Sequence, residues 1–154
     1  MQTDSPAVAQ AIVAHAETLC EREDHLWDVI RRLSIPVEKL VDNRNENKTK
    51  YETEPLVRAF LYQIAREFSR NQLADQLQSR PSLVKTCGFN VRDISEAPKQ
   101  GAINYAWLQL STKTQDIIEA AATGIAQAAV EEDVIAESLV AVDPSQDDDT
   151  DQTE

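Results

Sequence analysis

A chain of 154 residues has room for one ordinary domain with its own core and is short for two. Apolar residues make up 42%, with only 3 Gly and 6 Pro against plentiful Ala, Leu, Gln and Glu, which favours helices and argues against a turn-rich β architecture. The net charge of -12 excludes a uniformly basic nucleic-acid binder, and the longest apolar stretch, 117–130, is interrupted by Glu119, Thr123 and Gln127 and cannot span a membrane.

Charge is unevenly placed. Residues 1–42 hold 8 acidic and 4 basic residues, net -4; residues 43–110 hold 7 acidic and 10 basic, net +3; residues 111–154 hold 12 acidic and the single Lys113, net -11. The middle of the chain is therefore basic inside an acidic protein, and that asymmetry says more than the total. An acidic surface with only 6 Lys suits life in very high salt, and an ordinary acidic tail accounts for the charge equally well. Cys20 and Cys87 are the only cysteines, and the start MQTDSPAV has no basic residues followed by an apolar run. A reducing, cytoplasmic setting without a disulfide framework is the expectation.

In chain order, Ser5 and Pro6 suit a helix start, a cap followed by proline at the first helical position. No breaker follows before Leu33, and Ile12, Leu19, Leu26 and Leu33 recur every seven residues beside Ala16 and Ile30. The pattern predicts one N-terminal helix over 1–36, lying on its own domain or pairing in a homodimer through a seam that Arg22 and Glu23 interrupt. Residues 37–54, ending in DNRNENKTKYETE, read as a polar linker.

A helical domain is expected over 55–140. Pro55 opens a helix with Leu56, Phe60, Ile64 and Phe68 in one row, ending near Ser69. Ser69 and Gln72 have the spacing of a capping box for the next helix, which carries Leu73, Ala74 and Leu77. Pro81 restarts a short helix that Gly88 stops. Pro98 starts another, with Ile103, Ala106, Trp107 and Leu110 on its apolar face. Thr112 to Gln115 reads as a second capping box, leading into an Ala-rich helix that ends near Leu139. Residues 141–154 read as a disordered acidic tail. The fold class is all-α: a bundle of short helices with a helix-turn-helix-like centre, flanked by a long N-terminal and a long C-terminal helix. Phe60, Ile64, Leu73, Leu77 and Trp107 should share one core.

The segment YETEPLVRAFLYQIAREFSRNQLADQLQSRPSLVKTCGF (51–89), followed by PKQGAINYAWLQLS (98–111), resembles the N-terminal helical domain of insertion-sequence transposases of the DDE class, particularly those of salt-loving archaea. Pro55, Leu56, Ala59, Leu61, Gln63, Ser69, Leu73, Leu77, Gly88, Pro98 and Trp107 fit places in that family's pattern, while Gly101 and Ala102 stand where it usually has Thr-Leu. The resemblance implies binding to the terminal inverted repeats of an element. Cutting and joining of DNA would fall to a separate domain with three carboxylates that hold divalent metal. The sequence stops before such a region, so the expectation is a truncated, transposase-like protein that is not an enzyme.

Catalytic and metal chemistry find no pattern in the residues. His15 and His25 lack ligand spacing, no glycine-rich phosphate loop exists, Asp143 reads as tail, and Cys87 reads as core. No cofactor and no metal are expected. Gln100 and Asn104, at i and i+4 beside Lys99, could read base edges in the Pro98 helix, with Arg66, Arg70, Arg80, Lys85 and Arg92 on phosphates. The alternative function is a helical oligomerisation or adaptor module with no role on nucleic acid.

Overall fold

The computed structural model describes residues 5–45 and 50–134, over which the chain is all-α. Helix α1 (Ser5–Cys20) packs along α7 (Thr112–Glu131), and α7 also supports α3 (Thr53–Ala65). The first helix of the sequence and the last described one are thus close neighbours.

The heptad residues of the N-terminal segment all turn into this core: Ile12, Ala16, Leu19, Leu26, Ile30 and Leu33 are no more than 2% exposed. The segment is not one helix, however. The chain leaves α1 at Cys20 and begins α2 at Leu26, ending at Arg32. No glycine or proline marks the break. Residues 21–24 are Glu, Arg, Glu and Asp in succession, so a continued helix would present nothing apolar there. Bending lets Leu19 and Leu26 both reach the interior. His15, from α1, accepts the Ser34 backbone N–H at 3.1 Å and so helps hold the chain leaving α2. These seam residues therefore serve the chain's own core.

The segment read as a linker is anchored. It contains a 3-10 turn at Val37–Lys39, Leu40 is buried, and Asp42 forms a lone antiparallel bridge with Leu110. The Asn43 N–H donates to Gln109 O at 2.9 Å and the Ser111 N–H to Val41 O at 3.1 Å. Helix α3 then starts at Thr53, two residues earlier than Pro55 suggests.

Helix ends follow local rules only in part. Ser69 and Gln72 form the expected capping box at the start of α4 (Arg70–Ser79). Helix α5 (Pro81–Cys87) begins after the single residue Arg80 and stops at Gly88, whose φ of 93° permits a Schellman closure: Phe89 N–H to Val84 O at 3.1 Å and Gly88 N–H to Lys85 O at 3.0 Å. The same closure ends α3 at Glu67 (φ 61°) and α7 at Asp133 (φ 57°), without glycine. Hence α3 stops at Ala65, short of Ser69, and α7 stops at Glu131, short of Leu139. Leu139 and the acidic tail lie outside the described residues. Ser111, not Thr112, caps α7: its Oγ accepts the Thr114 N–H at 3.1 Å, while Thr114 Oγ1 accepts the Val41 N–H at 2.8 Å.

Helix α6 (Gln100–Gln109) begins after Pro98, which is buried ahead of it. It lies against α4, which also contacts α5, while α3 packs against α2, α4, α5 and α7. Phe60, Leu73, Leu77 and Trp107 are buried together with the rest of one core, whereas Ile64 is only half-buried at its edge. The Phe60 and Trp107 rings meet edge to face at 5.0 Å, and Trp27 and Tyr62 at 6.3 Å.

Candidate nucleic-acid interface

Burying Ile103, Ala106, Trp107 and Leu110 leaves the opposite side of α6 facing outward. Lys99 and Gln100 are exposed at its start, and Tyr105 and Leu108 further along are 54% and 68% exposed. Gly101 has open space where a Cβ would stand.

Asn104 is half-buried and committed. Its Oδ1 accepts from Arg70 Nε at 3.0 Å, its Nδ2 lies 3.5 Å from Asn71 Oδ1, and the Arg70 guanidinium lies over the Trp107 ring at 5.7 Å. Asn104, expected on a base edge, and Arg70, expected on phosphate, are thus bonded to each other. The two side chains form one polar joint between α4 and α6, and removing either disturbs the other.

The remaining residues singled out in the sequence are dispersed. Arg66, at the end of α3, stacks over Tyr62 and Phe68 at 5.7 and 5.0 Å and donates to the Tyr62 hydroxyl at 2.9 Å. Arg80 lines a hollow with Trp27 and with the carboxylate-bearing Asp28. Lys85 is exposed on α5. The Arg92 side chain is 93% exposed and pairs loosely with Glu96 at 3.9 Å. The structure gathers Lys99, Gln100, Asn104 and Arg70 on or beside α6; Arg66, Arg80, Lys85 and Arg92 belong to other elements.

What sequence reasoning missed lies next to the start of α6. A cleft of about 450 Å³ is lined by Arg44, Lys50, Tyr51, Lys99, Ala102 and Tyr105, among others, and none of the described residues lining it is a carboxylate. Half of that wall comes from the segment read as a linker, whose run of Arg44 and Lys50 beside Tyr51 was the available signal. Tyr51 is fixed: its hydroxyl donates to Glu96 O at 2.6 Å, its ring meets Phe89 edge to face at 5.8 Å, and the Lys50 ammonium sits 5.5 Å from the ring centre.

Arg44 is held by a bidentate pair with Asp42, with Nη2 to Oδ2 at 2.8 Å and Nε to Oδ1 at 3.0 Å, and Thr53 Oγ1 donates to the same carboxylate at 2.7 Å. The two charged side chains are only 7% and 13% exposed. Burial alone would raise the Asp42 carboxyl, but hydrogen bonds from Arg44 and Thr53 and the Arg44 charge outweigh it and hold the group below its ordinary value. A carboxyl whose folded value is lowered stabilises the fold above its unfolded value of about 4, and the contribution vanishes as pH falls through the folded value. Thermal melting from neutral to acid pH should therefore show an acid limb that is shallower in Asp42→Asn. An identical limb in the variant would refute this role.

Neither thiol is prepared for chemistry. Burial pushes Cys87 up to about 12, against a smaller lowering by Arg58; burial also raises Cys20, helped by Glu132 and Glu17. Among the described residues no group of three His, Cys, Asp or Glu side chains could hold a metal ion, and no helix is long and apolar enough to cross a membrane.

No family model matches the chain, and no curated protein or solved structure aligns with it significantly.

Proposed function

We propose that this chain is a non-catalytic DNA-binding module of the kind its sequence resembles, the N-terminal helical domain of DDE-class insertion-sequence transposases, and that it engages terminal inverted repeats through the start of α6. The observation that carries the reading is the cleft at that helix start. In a protein of net charge -12, the described residues of its lining include Arg44, Lys50 and Lys99 and no carboxylate. With Arg44 matched by Asp42, Lys50 and Lys99 are the described lysines of the lining that can meet phosphate, while Gln100 on the exposed first turn offers an amide for a base edge. In a salty cytoplasm phosphate attraction fades steeply, so base contacts would supply more of the affinity.

The test is a titration of the full chain against duplexes carrying the element ends and scrambled duplexes, across a salt series. Binding should weaken with salt, and Lys99→Gln or Lys50→Gln should each lower affinity for all sequences and reduce the salt slope by about one. Gln100→Ala should instead erase about 1–3 kcal/mol of preference for the end sequence. Arg70→Ala and Asn104→Ala should behave alike, as members of one joint. If neither duplex binds at low salt, the DNA reading fails, and the exposed Tyr105 and Leu108 are left to a protein partner, as an adaptor would need.

A further inference from the structure

We propose that the cleft beside α6 receives one unpaired nucleotide of a DNA strand, its base stacked on Tyr105 and its phosphate held between Lys50 and Lys99. The proposal rests on the DNA-binding reading and names what that site takes. At about 450 Å³ the cleft has the size of a small-ligand pocket and admits one nucleotide, not a duplex. Its two lysines can meet the phosphates of a paired or an unpaired strand, but its aromatic walls can stack only on an unpaired base. A duplex offers phosphates along its outside but keeps the faces of its bases stacked inside, where an aromatic side chain cannot reach them. Tyr51 and Tyr105 line this cleft together with Ala97 and Ala102, so the apolar lining is aromatic and small, with ammonium groups beside it. Aromatic platforms next to cations are the arrangement by which proteins hold single-stranded nucleic acid without regard to sequence.

The two tyrosines differ in a way that assigns their parts. Tyr51 is pinned through its hydroxyl and its contact with Phe89, and so forms a fixed wall. Tyr105 is more than half exposed on α6, one turn past Gly101, where the space around a missing Cβ is open. A large aromatic surface left in water beside lysines is what a stacking base would cover.

The experiment compares three probes by anisotropy or calorimetry with the full chain: a blunt duplex, the same duplex with two unpaired nucleotides at one end, and free deoxyadenosine monophosphate. The extended duplex should bind roughly tenfold tighter than the blunt one, the gain that stacking one base supplies. Tyr105→Ala should bring the ratio of extended-duplex to blunt-duplex affinity down to about one, and Tyr105→Phe should keep the roughly tenfold ratio. Because Tyr105 is exposed, its variants should melt like the parent. Equal binding of blunt and extended duplexes overturns the proposal while leaving the DNA reading intact. Binding of the monophosphate without any preference for the extended duplex also overturns it, since the cleft would then serve a free nucleotide. Binding of neither duplex removes both readings.

Discussion

Phe60→Ala should destabilise the protein by about 3–5 kcal/mol in urea unfolding, the range for removing a fully buried aromatic side chain. Phe60 has no exposed surface, lies in the core of α3, and meets Trp107 of α6 edge to face at 5.0 Å. Its removal takes away both the transfer energy of the ring and a contact that joins the two helices. Ile64→Ala, one turn on, should cost distinctly less, because its side chain is half-buried and the neighbourhood can relax into solvent. A Phe60→Ala loss below about 1 kcal/mol, or a larger loss at Ile64, would contradict the packing described for α3.

Gly124→Leu should be nearly as damaging, at about 3 kcal/mol. At Gly124 α7 lies close against α1: a Cβ built there would stand 2.5 Å from Cγ2 of Val13 and 3.0 Å from Cγ1. Valine has one strongly preferred rotamer in a helix, so it cannot swing aside cheaply, and the helices must separate. Gly124→Ala sets a helix-propensity gain of about 1 kcal/mol against the same clash and should fall between the parent and the leucine variant. The check is a double-mutant cycle, since Val13→Ala should recover much of the Gly124→Leu loss. Additive effects of the two changes would show that Val13 is not the obstacle.

The architecture was legible wherever it depended on local pattern. The capping box at Ser69, the glycine stop at Gly88 and the apolar faces of α3, α4 and α6 are statements about residues within a turn or two of each other. The failures share another cause. The break after Cys20 carries no breaker residue, and the stops at Glu67 and Asp133 place non-glycine residues in a left-handed conformation that tertiary packing must hold. The start of the polar segment before α3 is tied down by backbone bonds to partners far along the chain, Asp42 bridging Leu110 and the Val41 N–H donating to Thr114, which local pattern cannot reveal.

The candidate site divides in the same way. Lys99 and Gln100 could be picked out because they sit together on one helix. Lys50, Tyr51 and Tyr105 escaped notice because the cleft exists only once the segment before α3 is laid against α6. Asn104 and Arg70 were both visible, but their mutual hydrogen bond spans 34 residues and could not be read from spacing.

The pairing of α1 with α7 also has a temporal side. These helices are separated by nearly the whole described chain, so the contact that closes the core has high sequence separation, and such contacts form late. On the ribosome, Ile12, Ala16 and Leu19 would wait uncovered until α7 had been synthesised and had left the exit tunnel. A fragment limited to the central helices would lack both flanks of its own interior, and a nascent chain of that length would be a substrate for chaperones before it could be a ligand for anything else.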